Sequence, residues 1–123
     1  MTKTMKTDNE LIAEFMGLVP EYWRLTPLHK RRLYWCIGKG GFGMTASELK
    51  YNTSWDWLMP VVEKINNTKH PTLNERIDVI IYRRTCHIND IQQIIIETTG
   101  KDMLECTYKA VVSFIKWYNQ QNP

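Results

Sequence analysis

Tyr51-Asn-Thr-Ser-Trp-Asp-Trp-Leu-Met-Pro-Val-Val-Glu-Lys-Ile65 places two tryptophans, a capping hydroxyl and an apolar stripe within fifteen residues. Trp55, Leu58, Val62 and Ile65 recur at intervals of three, four and three, which sets their side chains on one face of a helix. Thr53 or Ser54 stands where an N-cap is needed. Pro60 lacks an N–H and its ring crowds the preceding turn, so a kink or a loose first turn over Trp55–Met59 is expected. The stretch reads as a core helix and not as a catalytic signature.

Toward the N-terminus, Thr7-Asp8-Asn9-Glu10 has capping-box spacing ahead of Leu11, Ile12, Phe15 and Met16, with Gly17 available to end the turn. A first helix from about Asp8 to Met16 follows, and residues 1–7 before it are expected to be disordered. After Pro20 the chain becomes aromatic and strand-prone: Tyr22-Trp23-Arg24-Leu25, a basic interruption, then Leu33-Tyr34-Trp35-Cys36-Ile37. These read as two antiparallel strands. The glycine-rich Gly38–Gly43 segment reads as a turn, leading to a short strand near Leu49–Tyr51.

Toward the C-terminus, Asn66–Asn74 reads as an exposed connection. Ile77–Tyr82 and Ile91–Glu97 are strand patterns, with Asn89-Asp90 as the hairpin signal between them and the Thr85–Ile88 approach leaving the register open. Asp102 and Glu105 open a last helix whose line Leu104, Tyr108, Val111, Ile115 and Tyr118 runs to about Asn119. The predicted fold is therefore α+β: a small antiparallel sheet of four to five strands with three helices, in the order helix, strands, helix, hairpin, helix. A length of 123 residues predicts one domain, 1–123.

Composition narrows the function classes. No apolar run is long enough to span a bilayer, and the first residues lack a secretory segment, so a cytoplasmic protein without membrane association is expected. Cys36, Cys86 and Cys106 are odd in number and lie among apolar neighbours, which predicts buried free thiols. The net charge of +3 lies entirely in the first half: residues 1–50 hold eight Lys and Arg against five Asp and Glu, and residues 51–123 hold eight of each. A local basic patch of this kind favours an anionic partner.

No reaction is spelled out. Gly38-x-Gly40-x-Phe42-Gly43 matches the glycine-rich loop of protein kinases in letters, but the chain lacks the other kinase motifs and no helix follows to make a dinucleotide fingerprint. His70-Pro71-Thr72 is one copy of a His-x-Thr pattern that two-histidine phosphoesterases use twice, and one imidazole does not serve both sides of a phosphate. Adjacent Cys86 and His87 point to opposite faces of a strand. Neither a Cys-x-x-Cys nor a His-x-x-x-His spacing is present for a metal, and no cofactor is expected.

The remaining candidate is the basic run His29-Lys30-Arg31-Arg32 between two aromatic pairs, Tyr22-Trp23 and Tyr34-Trp35. Cations for phosphate and rings for bases are what a nucleotide or a single strand requires. The competing reading is a solvated hairpin over an aromatic core. Trp23, Arg31, Arg32 and Trp35 are the candidate binding residues, with Arg83 and Arg84 added if the fold brings them near.

Three helical blocks, Leu11-Ile-Ala-Glu-Phe-Met-Gly17, Tyr51–Ile65 and Thr107-Tyr-Lys-Ala-Val-Val-Ser-Phe-Ile-Lys-Trp-Tyr-Asn119, resemble a family of small, largely uncharacterised proteins of phages and mobile elements of gut-type Bacteroidetes. That family is similar in pattern to the phage ABA sandwich domain. The resemblance covers about a third of the chain. It implies a small antiparallel sheet with helices around it and a phage origin, and it transfers no catalytic residues. The expected function is that of a non-enzymatic accessory protein that binds a host protein or an anionic nucleotide-type ligand, to counter host defence. A sequence-independent nucleic-acid-binding protein is the alternative, and a homo-oligomer is compatible with either.

Overall fold

The computed structural model describes residues 6–23, 30–38, 42–71 and 74–121. The fold is α+β, and the described residues form three α-helices and six strands in two three-stranded antiparallel sheets. The chain forms two compact units, Met1–Lys50 and Tyr51–Pro123. The six strands therefore form two sheets, where one sheet of four to five strands was expected.

In the first unit, helix α1 (Asp8–Phe15) begins on the predicted capping box. The Thr7 hydroxyl accepts the Glu10 N–H at 3.2 Å, and the Glu10 carboxylate accepts the Thr7 N–H at 3.1 Å. The helix ends at Gly17, whose φ of +89° is costly for a side-chain-bearing residue. Gly17 donates to the Glu14 carbonyl and Leu18 to the Ala13 carbonyl, which closes the helix as a Schellman motif. Thr7 and Lys6 are thus held in place, Lys6 by an ion pair to Glu14. The expectation of disorder for residues 1–5 lies outside the described residues.

Strand β1 (Val19–Trp23) pairs antiparallel with β2 (Arg32–Cys36), from Val19 opposite Cys36 to Trp23 opposite Arg32. Pro20 is tolerated because β1 is an edge strand. Strand β3 is Gly43–Met44 and pairs with Trp35 and Cys36. A Cβ at Gly43 would lie 2.9 Å from Cys36 Sγ, 3.0 Å from Tyr34 Cβ and 3.3 Å from Trp23 Cζ3, so the third strand can approach only as glycine. The strand expected near Leu49–Tyr51 is absent. Ala46–Glu48 form a 3₁₀ turn instead, and the Leu49 carbonyl accepts the Asn9 side chain at 3.1 Å rather than a strand neighbour.

In the second unit, α2 (Trp55–Asn66) continues through Pro60 and buries Leu58, Val61, Val62 and Ile65. Trp55 remains 36% exposed, so the buried stripe starts one turn later than its spacing suggested. The Ser54 carbonyl accepts from both Trp57 and Leu58, a tightened first turn. Strands β4 (Asp78–Tyr82), β5 (Thr85–Asn89) and β6 (Ile94–Thr99) form a meander in that order.

This corrects the expectation of a single hairpin turning at Asn89-Asp90. The Thr85–Asn89 stretch is the central strand, with Cys86 and Ile88 fully buried between the more accessible Thr85, His87 and Asn89. The first turn is Arg83-Arg84, and the second is set by Asp90, whose Oδ1 accepts the Gln92 and Gln93 N–H groups at 2.8 Å each. Helix α3 (Met103–Gln121) packs on β5 and β6, while α2 packs on β4 and α3. Its buried face is Thr107, Ala110, Val111, Phe114 and Ile115. Leu104, Tyr108 and Tyr118 of the predicted line are half-buried at its margin. Asp102 caps α3 by accepting the Glu105 N–H at 2.8 Å.

Candidate functional site

Alternation along β1 and β2 sorts the candidate residues. Directly paired residues of an antiparallel ladder share a face, so Glu21, Trp23, Arg32 and Tyr34 lie on one face of the first sheet, and Pro20, Tyr22, Leu33 and Trp35 lie on the other. The ring stacking of Trp23 on Tyr34, with centroids 5.2 Å apart and planes at 29°, agrees with that assignment. Both rings are half-buried, whereas Lys30, Arg31 and Arg32 are exposed. Trp23 and Arg32 are thus brought together, with Tyr34 as an aromatic partner that spacing alone did not single out, while Arg31 precedes β2 and is exposed. His29 of the basic run lies outside the described residues.

Trp35 goes to the opposite face. It is 1% exposed and donates its indole N–H to Glu10 at 2.8 Å. Burial pushes the Glu10 carboxyl up, but the Thr7 N–H, the Trp35 indole, the Thr7 hydroxyl and the Lys6 ammonium outweigh it and hold the group below its usual value. Lys6, Glu10 and Glu14 face Pro20, Tyr22, Leu33 and Trp35 across a cleft of about 270 Å³. The cleft has carboxylates and rings on its walls, so it suits an anion poorly. The other face carries Trp23, Tyr34 and Arg32 together with Glu21, and its exposed cation and stacked rings are the better match to phosphate and base. Arg32 there also feels the Glu48 carboxylate, which Thr45 holds ionised through its N–H and hydroxyl.

Arg83 and Arg84 belong to the second unit, so the patch drawn from sequence is divided between the two units. They form the β4–β5 turn and line a hollow of about 300 Å³ with Thr85, Thr99 and Gly100. The Arg83 guanidinium lies over the Tyr82 ring, 5.4 Å from its centroid. Elsewhere in the second unit, His70 Nε2 stands 3.9 Å from Asp90 Oδ2, and the His70 ring meets Trp117 edge-on at 5.3 Å. The Gln92 N–H, against the opposing effect of burial, and with Gln93 and His70, keeps the Asp90 carboxyl below its usual value. Its Oδ1 is committed to the β5–β6 turn.

The cysteines are free and buried. Burial, with the nearby Cys106 sulfur, pushes the Cys86 thiol up to about 11 against a partly opposing Thr107 hydrogen bond, and burial with Glu21 raises Cys36. Such thiols are poor nucleophiles at neutral pH. Among the described residues no three His, Cys, Asp or Glu side chains are grouped to hold a metal, and no helix is long and apolar enough to cross a membrane. Comparisons with protein-family models, with curated proteins and with solved structures find no match.

Proposed function

We propose that this protein is a non-enzymatic binder of an anionic, base-bearing ligand, of nucleotide type, on the face of its first sheet that carries Trp23 and Arg32. The observation that carries this reading is the cross-strand placement of Trp23 opposite Arg32, with Tyr34 stacked on Trp23. An aromatic platform edged by a guanidinium group receives a base on the rings and a phosphate on the cation. The raised thiols and the commitment of Asp90 to a turn support binding over catalysis. The setting we propose is an accessory role for a phage or mobile element, including interference with host defence, on the resemblance of the three helical blocks.

A single nucleic-acid strand on the same open face is the second reading, because Lys30, Arg31 and Arg32 are consecutive and exposed. Fluorescence anisotropy with a labelled mononucleotide and a labelled oligonucleotide, each across a salt series, tests both. A nucleotide ligand predicts affinity that falls gently with salt, whereas a strand neutralised at several phosphates predicts a steep logarithmic decline. In either case the Arg31→Ala/Arg32→Ala variant weakens binding at least about tenfold, the scale of losing charge-assisted hydrogen bonds. Unchanged affinity in that variant rejects the site.

A further inference from the structure

We infer that the Arg83-Arg84 turn of the second unit is a second anion site, built to hold a phosphoryl group at the end of the second sheet. Neither guanidinium is engaged by a carboxylate among the described residues. The acidic groups at the start of α3 have partners of their own: Asp102 accepts the Glu105 N–H, and Glu105 accepts the Lys101 N–H and pairs with Lys109 at 3.4 Å. Lys109, paired with Glu105, also reaches the Thr99 carbonyl at 3.3 Å, so the carboxylate closest to Gly100 is offset by its own cation and not by the arginines. Two threonines, Thr85 and Thr99, add hydroxyls to its lining. Guanidinium groups with neighbouring hydroxyls are the donor set that phosphate oxygens take.

The turn is held in a defined shape. Tyr82 pairs with Thr85 across it, and the Gly100 N–H donates to the Arg84 carbonyl at 3.1 Å, tying the turn to the end of β6. Arg83 itself has φ +56°, a left-handed conformation that glycine or asparagine adopts at lower cost. A turn selected for stability alone would carry one of those residues, and strain kept at an arginine points to a use for its side chain. The Tyr82 ring under the Arg83 guanidinium limits the directions in which that group can turn. The hollow, about 300 Å³, holds on the order of ten waters' share of liquid volume, enough for a phosphoryl group with its hydration.

The test is an amide-resolved NMR titration of the whole chain with inorganic pyrophosphate and, separately, with a nucleoside monophosphate. Saturable shifts centred on Arg83, Arg84, Thr85, Thr99 and Gly100, extending to Tyr82 only for a nucleotide, with a dissociation constant of about 1 mM or tighter, are expected. Equal affinity for the two probes assigns free phosphate as the ligand; tighter nucleotide binding with shifts at Tyr82 assigns a nucleotide. The Arg83→Gly/Arg84→Gln variant keeps a turn-compatible residue at φ +56° and is expected to bind at least about tenfold more weakly. Arg31→Gln/Arg32→Gln should leave this titration unchanged, so failure here is distinguishable from failure of the face on the first sheet. Shifts that do not saturate, that scatter over the surface, or that persist in the Arg83→Gly/Arg84→Gln variant would overturn the assignment.

Discussion

The indole of Trp35 gives its N–H to the buried Glu10 carboxylate, so one side chain both fills the interior of the first unit and neutralises the cost of a charge placed there. Trp35→Phe keeps most of the apolar ring but leaves Glu10 Oε2 without that donor. The expected loss is about 2–3 kcal/mol in urea unfolding, the range for a charged hydrogen bond whose partner is left buried. A loss near zero would mean that water replaces the indole. Trp23, on the other face, is half-buried and stacks on Tyr34 instead. Strand alternation was legible at both tryptophans. Their division between core and surface required the pairing of Trp23 with Arg32.

At the scale of elements, α2 carries an avoidable defect. Pro60 is exposed, lies well inside the helix and has no N–H to offer the Asp56 carbonyl. Pro60→Ala is expected to raise stability by about 2 kcal/mol, the interior-proline penalty less the entropy that alanine restores to the unfolded chain. Thermal melting monitored by circular dichroism checks it; a lower melting temperature would show that the ring packs on something the helix needs. The caps of α1 and α3 were readable because each depends on residues within four positions. Strand β5 was less readable, because its alternate residues are threonine, histidine and asparagine and its opening turn is two arginines. Arg83 adopts the backbone that glycine signals elsewhere, so the usual turn signature is missing.

For the whole molecule, the titrating groups bracket a stability maximum. The Glu10, Glu48, Asp90 and Glu105 carboxyls are all lowered on folding, from ordinary values of 4.5 for Glu and 3.8 for Asp. Groups shifted in this direction stabilise the native state above those values, and the contribution is lost as pH falls through the lower native ones. The Cys86 thiol is shifted the other way, from 9.0 to about 11, so its contribution is complete below pH 9 and disappears as pH rises toward 11. Melting temperature against pH should therefore show an acid limb below about 4.5 and an alkaline limb above 9. Glu10→Gln should flatten the first and Cys86→Ala the second. A Cys86→Ala profile that keeps the full alkaline limb would assign that limb to other groups, such as the buried Tyr51, whose pKa is also raised by burial.

The sequence by itself determined the class of elements and their order, because helix caps, apolar spacing and strand alternation act over a few residues and need no distant partner. It also placed all three thiols among apolar neighbours, where they are found. Tertiary structure decided the division into two sheets, the face on which each aromatic lies, and the separation of Arg31 and Arg32 from Arg83 and Arg84 into different units. Those outcomes depend on register and on which strands meet. A one-residue slip reverses every side chain on a strand, so the partner chosen across the ladder sets what any one residue can touch.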